Sequence, residues 1–375
     1  MRGGAENAMK NTFGNALTLT IFGESHGPAI GVVLDGLAPG MEIDRDYIAH
    51  KLSLRRPAGK NATARQEKDE YVIESGVYNG YTTGTSLCIL IPNADTHSSD
   101  YSALAGKARP GHSDYPANCK YHGFEDARGG GHFSGRITAG VVAAGAILQC
   151  ALEKKGIVIG THLKRIQQIA DRDFDANDIE QDIRKLDQLV FPVLDEKTAE
   201  DMNALILQKR EEMDSVGGLL ETVILGMPAG VGEPWFDSIE SELAHAMFAI
   251  PAVKGVEFGD GFGVVDSVGS VNNDPYRYQD GKAVTVTNHA GGIGGGITNG
   301  MPITMRCALK PTPSIARKQD TIDFANRKET EIEIKGRHDP CVAHRARAVV
   351  DALCAFVMAD LLTVRYGTDY LGSAE

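Results

Sequence analysis

The chain has 375 residues, of which 42% are hydrophobic and 23% charged, with a formal net charge of −12. Such a composition supports a globular protein with a large core, and its acidic balance excludes a broad basic face for nucleic acid. Six scattered cysteines with no C-x-x-C read as reduced thiols of a cytoplasmic protein, and no apolar run is counted that reaches the ~18–20 residues of a membrane span.

Residues 1–11, within MRGGAENAMKNTFGN, lack an apolar signal core and are expected to be a disordered extension, with Met9 as an alternative start. A strand over 17–22 then leads into the turn GESHGP. His26 sits there between Gly23, Gly27 and Pro28 and is expected to be held in place and exposed to a cleft. A second strand over 30–35 and a Pro39–Gly40 turn precede a helix capped by Asp44 and running to about Leu54. The polar segment that follows starts basic, with Arg55, Arg56, Lys60 and Arg65. YVIESGVYNGYTTGTSLCILIPN reads as a hairpin turning at Asn79–Gly80, with a buried strand over 86–91.

The stretch from Arg109 to Arg136 holds glycines at 111, 123, 129, 130, 131 and 135, histidines at 112, 122 and 132, and Arg128 between its terminal arginines. Neither a strand nor a helix favours that glycine density, so a loop that lets backbone approach a ligand is expected. Arginine forks beside it suit a planar, multiply charged anion. TAGVVAAGAILQCALEKKG then reads as a buried helix stopped by Gly156. Residues 171–214 turn charged and glycine-poor, a peripheral helical insertion, and a strand resumes at 220–225.

The second half echoes the first. VVLDGLAPGMEID parallels VILGMPAGVGEPWFDSI, GVYNGYTTGTSLCIL parallels GIGGGITNGMPITMR, and GHSD before the first apolar helix parallels GRHD before AVVDALCAFVMADLL. The expected architecture is therefore α+β. It is a single domain over 12–375 with pseudo-repeats at about 12–156 and 216–365, a helical insertion at about 171–214, and long buried helices between antiparallel sheets.

G-x-G-x-x-G, G-x-x-x-x-G-K-[ST] and H-E-x-x-H are all absent, which removes the usual dinucleotide, P-loop and zincin readings. Ten-residue histidine spacings do not suit a metal, and none is expected. What remains are glycine loops bearing Arg109, His112, Ser134, Arg136, Arg337, His338 and Asp339, with KPTPSI adding Lys310, Thr312 and Ser314. They point to an enzyme that acts on a polyanionic small molecule and moves protons through histidine.

GESHGPAIG, RPGHSDY, RGGGHFSGRITA, VKGVEFGDGF, TNHAGGIGGGITNGMPI, KPTPSI and GRHDPC, in this order over about residues 12–362, closely resemble the chorismate synthase family. The resemblance implies a homotetramer with a β-α-β sandwich core. The implied reaction converts 5-enolpyruvylshikimate 3-phosphate to chorismate and phosphate by 1,4-anti elimination, using reduced FMN without net redox change. By position, His26 would serve the departing phosphate, His112 the protonation of reduced flavin, and Asp339 would accept the proton relayed by way of the flavin. Arg56, Arg109, Arg136 and Arg337 would hold substrate anions. Ser134, Gly295, Asn299, Lys310, Thr312, Ser314 and Arg337 would contact FMN, with Gly292 and Gly296 admitting close backbone.

The resemblance also associates the protein with NADP. The chain carries no flavin-reductase segment, so a separate reductase would supply reduced FMN. Where many relatives have a further arginine after the Arg56 position, only Lys60 or Arg65 is available here, and VAHRAR lacks a common proline. Two other readings compete: an FMN-dependent oxidoreductase acting on a phosphorylated carboxylate, and a non-catalytic binder of polyanions.

Overall fold

A computed structural model describes residues 10–56, 69–93, 106–334 and 339–372. Arg337, His338, Lys60, Arg65 and the first nine residues of the expected extension lie outside the described residues. The first half runs β1 (Thr12–Phe13), β2 (Thr18–Gly23), β3 (Ala29–Asp35), α1 (Arg45–Arg55), β4 (Val72–Ser75), β5 (Val77–Tyr78), β6 (Tyr81–Thr82), β7 (Leu87–Pro92), α2 (Asp114–Tyr121) and α3 (Thr138–Lys154). Next come β8 (Val158–Ile166), β9 (Ile169–Ala170), α4 (Ile179–Gln188), α5 (Glu196–Glu211), β10 (Gly218–Leu225), α6 (Ile239–Ala249) and β11 (Val253–Phe258). The chain closes with α7 (Gly269–Asn272), β12 (Tyr276–Gln279), β13 (Lys282–Thr285), β14 (Ile293–Gly294), β15 (Ile297–Thr298), β16 (Ile303–Leu309), β17 (Gln319–Asp323), β18 (Lys328–Ile332) and α8 (Ala343–Tyr366).

Two antiparallel five-stranded sheets sandwich the long helices. One has the order β1-β2-β3-β7-β4, the other β11-β16-β10-β8-β9. Helix α3 packs on β3 and β7, α8 packs on β8 and β10, and the two helices pack on each other. Helix α3 is apolar nearly all round, and α8 is buried nearly all round, its His344, Arg347, Asp351 and Asp360 included, which fits burial between layers rather than a single wet face. At Gly145 they pack so tightly that an added β-carbon would overlap Ala352 of α8. The charged helices α4 and α5 lie beside β8 and β9, each capped by an aspartate, Asp178 and Asp195.

Several local expectations hold. Asp44 caps α1 by accepting from Tyr47 N at 2.9 Å. Asn79 and Gly80 both have positive φ, +49° and +82°, as a two-residue turn between β5 and β6 requires. The wider hairpin is completed by β4 pairing with β7.

Others need correction. The segment Gly135–Lys154 is long and apolar enough to cross a membrane, contrary to the count above. Its apolarity is taken up by the core, since 83% of its most apolar window is buried. The glycine-rich central stretch contains a helix, α2, with Pro116 in the first turn, where a missing N–H costs nothing. His26 is buried, only 8% exposed. Strand β8, whose order in its sheet matches that of β2, precedes the expected start of the second repeat.

Candidate active site

The run Gly129-Gly130-Gly131 has φ of +60°, +88° and +53°, a left-handed path that side-chain-bearing residues resist. Two imidazoles stand against it. A β-carbon on Gly129 would overlap the His26 ring, and one on Gly130 would come 3.3 Å from His112 Cε1 and Nε2. Ser25 fixes the turn from the other side. Its backbone N donates to Gly131 O at 3.1 Å, and its Oγ lies 3.1 Å from His26 Nδ1. His132 Nδ1 lies 2.8 Å from Gly23 O, which ties the same loop to the end of β2.

His112 belongs to a compact charged knot. Arg109 donates to Asp114 through Nε at 2.8 Å and Nη2 at 2.7 Å, and Arg109 Nη2 also lies 3.1 Å from His112 Nδ1. His112 Nδ1 is 2.9 Å from Asp114 Oδ1. Burial pushes the Asp114 carboxyl up, but hydrogen bonds from Arg109 and His112 outweigh it and hold the group well below the usual carboxylate range. The loop after β16 meets this knot. Lys310 Nζ donates to Gly111 O, and a β-carbon on Gly111 would touch Pro313. Thr312 O accepts from Ser215 Oγ at 2.7 Å, its buried Oγ1 has no hydrogen-bond partner among the described residues, and Ser314 follows half-buried.

A second cluster surrounds the C-terminus of α1. Arg136 Nη1 donates to Asp69 Oδ1, its Nε to Asn93 Oδ1 at 3.0 Å, and its Nη2 to Pro92 O at 3.2 Å. Asn93 in turn donates at 2.9 Å to the carbonyls of Glu24 and Gly27, either side of His26. Arg55 reaches Asp69 Oδ2 at 3.2 Å, and Arg56 Nε lies 3.8 Å from the same oxygen. Asp339 Oδ2 accepts from Arg345 Nη1 at 2.6 Å, while Arg345 Nε donates to Arg55 O at 2.9 Å. One continuous network thus joins the turn that carries His26 to Arg136, Arg56 and Asp339.

Several expected residues are engaged within the protein itself. Arg109 and Arg136, read from the sequence as anion holders, direct their forks at Asp114 and Asp69. Ser134 Oγ accepts from Arg136 N at 3.3 Å. Gly295 and Asn299 lie on the β14–β15 hairpin, whose backbone bonds run to Gly230, Val231 and Ile239. Sequence reasoning passed over Asp69, Asn93, Asp114 and Arg345. Only Asp114 carried a local signal, as the last residue of the compact R-P-G-H-S-D.

Imidazoles and cationic side chains arranged this way suit an enzyme that moves protons on a small, multiply charged anion. Similarity to known proteins narrows that class. A family model described as chorismate synthase matches residues 17–363. The chain is 47% identical over 352 residues to the chorismate synthase of Pyrococcus abyssi, covering 94% of this chain and 97% of that one. It is 45% identical over 354 residues to that of Dehalococcoides mccartyi, covering 94% and 96% respectively. A solved structure described as a crystal structure of chorismate synthase superposes with a TM-score of 0.74 at 28% identity, covering 95% of this chain and 94% of that one.

The chain belongs to the chorismate synthase family. It is a carbon–oxygen lyase of the shikimate pathway, converting 5-enolpyruvylshikimate 3-phosphate to chorismate and phosphate.

Proposed function

We propose that this reaction is carried out at the junction of the glycine turn, the Arg109–Asp114 knot and the 310–314 loop, with reduced FMN as cofactor. The observation that supports this reading most is the placement of His26 and His112 against consecutive glycines, with Lys310 reaching the residue before His112 from the opposite sheet. The residues there fit a flavin phosphate and ring: a lysine ammonium, the buried Thr312 hydroxyl, without a partner among the described residues, the half-buried Ser314, and backbone without side chains beside His112. Lys310, Thr312 and Ser314 would hold the cofactor, with Ser134, Gly295, Asn299 and Arg337 as further contacts. The chemistry that bound reduced FMN supplies is a temporary donation of electron density while phosphate departs, with no net oxidation.

The chain's own residues do the rest. His26 gives a proton to, or hydrogen-bonds, the departing phosphate. His112 governs protonation beside the cofactor. Asp339 takes up the proton that the substrate loses, and Arg56 and Arg337 bind substrate anions together with the fields of Arg109 and Arg136.

The test is an anaerobic assay with reduced FMN and 5-enolpyruvylshikimate 3-phosphate that counts phosphate against electrons. Many phosphates per flavin without oxidation are expected. One flavin consumed per phosphate would support the oxidoreductase reading instead.

The same proposal extends to assembly and origin. Exposed Trp235, Phe236, Phe262, Val265 and Tyr278 support burial in a homotetramer, for which sedimentation of a monomer would be the contrary result. The six cysteines are all free, in keeping with a cytoplasmic setting in which a separate reductase provides reduced FMN. The order β2-β3-β7-β4 repeated as β8-β10-β16-β11, with α1 and α6, and α3 and α8, in equivalent places, supports an internal duplication.

A further inference from the structure

Three arginines converge on one carboxylate at the end of α1. Asp69 has a side chain 0% exposed; its Oδ1 accepts from Arg136, while its Oδ2 lies 3.2 Å from Arg55 Nη1 and 3.8 Å from Arg56 Nε. Guanidinium groups held this close repel one another, and water cannot screen them around a fully buried oxygen pair. The carboxylate is the group that lets them converge.

The three arginines are used differently. Arg55 spreads its fork over Thr138 Oγ1 at 3.0 Å, Gly135 O at 2.8 Å and Asp69. Arg136 spreads its own over Asn93, Pro92 and Asp69. Arg56 is set apart by a side chain 35% exposed, and its buried Nε has no hydrogen-bond partner among the described residues, only the longer ion pair to Asp69. The Asp69 carboxylate thus draws three cations together, and Arg56 is the one that reaches the surface, where a guanidinium suits a substrate with a phosphate and two carboxylates.

We propose that Asp69 is a positioning residue for substrate binding, which locks Arg55 and Arg136 into a fixed floor and aims Arg56 at a substrate anion. This rests on the reading of Arg56 as a substrate ligand. Asp69 itself touches neither substrate nor cofactor, so its loss is expected to act on substrate affinity and to leave the cofactor alone.

The experiment compares the full-length parent with Asp69→Asn, Arg56→Ala, Arg56→Lys and the double variant Asp69→Asn/Arg56→Ala. Phosphate release is followed with saturating reduced FMN, and flavin affinity and melting temperature are read separately. Asp69→Asn is expected to raise KM for 5-enolpyruvylshikimate 3-phosphate by about tenfold or more while kcat changes less than about threefold, the pattern of lost uniform binding. Flavin affinity should stay within about twofold. In the Arg56→Ala background the same change should add less than about threefold, because two residues that act as one unit are not additive.

A parental KM in Asp69→Asn, or full additivity in the double variant, overturns the proposal. A parental KM in Arg56→Ala removes the substrate role of Arg56, and the proposal with it. Should Asp69→Asn not fold, Arg56→Lys decides: it keeps the charge but loses the Nε that Asp69 faces, so a folded Arg56→Lys enzyme with parental KM overturns the proposal, and a rise of about fivefold or more upholds it.

Discussion

Arg345 grips Asp339 with one end of its guanidinium, at 2.6 Å, and the last turn of α1 with the other, at 2.9 Å to Arg55 O. The second carboxylate oxygen of Asp339 accepts from Cys341 N at 3.2 Å. Asp339 is therefore not the cap of α8, whose N-cap is Val342, without a side-chain capping bond.

Asp339→Asn consequently carries two separable costs. Whichever way the amide is turned, one of the two donors loses its acceptor, and a hydrogen bond to a charged group contributes ~1.5–3 kcal/mol. A lower melting temperature is expected on that account. At a temperature where the variant is folded, turnover should still fall by at least ~30-fold, because an amide cannot take up a proton. The deficit should grow further with deuterium at the substrate carbon that is deprotonated. Parental turnover in the folded variant would mean that the proton leaves elsewhere.

Gly129→Ala is expected to be severe for a loop residue. The left-handed backbone alone costs ~1–2 kcal/mol with a β-carbon, and that carbon overlaps the His26 ring and crowds Ser25 Oγ. Displacing His26 should lower turnover on the order of 10²-fold. Gly255→Ala is the control, since its β-carbon meets only Ala308 Cβ at 3.5 Å, and activity within about twofold of the parent is expected. Equal activity in both variants would detach the glycine turn from the chemistry.

His26→Ala and His112→Ala should each reduce turnover by ~10²–10⁴, but they should differ in kind. His112 shares Asp114 with Arg109 on the loop that meets Lys310, so its loss should alter the spectrum or affinity of reduced flavin. His26 is tied to the β2–β3 turn and should act on phosphate loss alone. Identical flavin affinities in the two variants would contradict that division.

Acid should weaken the fold through His344. Burial pushes its imidazole down to about 4, with the charge of Arg345 also lowering it and that of Asp339 partly opposing. The unfolded chain protonates this residue near 6.5 and the folded one only near 4, so in between the folded state binds fewer protons. Stability is therefore fully present above pH 6.5 and falls as pH drops toward 4, by ~2–3 kcal/mol. Denaturant titrations at stepped pH would read this. His344→Phe, which removes a ring nitrogen that has no hydrogen-bond partner among the described residues, should flatten the loss over that window.

Local patterns revealed the elements that local physics determines. The cap at Asp44, the Asn79–Gly80 turn and the all-apolar α3 follow from neighbours in sequence. Strand β8 did not stand out, because His162, Lys164 and Arg165 interrupt its apolar run. In the fold His162 is fully buried between Asp171 at 2.8 Å and Glu221 at 3.0 Å, partners 9 and 59 residues away. Asp69 is hidden for the same reason: within ARQEKDE it looks like solvated charge, and only its meeting with Arg136, 67 residues on, makes it distinctive. Arg345 is hidden likewise: VAHRAR carries no local signal, and only its bonds to Asp339 and Arg55 O make it distinctive.

The contact of Gly145 with Ala352 places a single hydrogen atom where any other residue would place a carbon. Helix α3 starts two residues after Arg136, and α8 starts four residues after Asp339, so both rims of the site hang from the two rods that touch there. The gap between those rims is thus gauged at the centre of the molecule. A methyl group added at Gly145, nine residues from Arg136, would act like a shim driven between two hinged jaws, detuning the chemistry without contacting any residue that performs it.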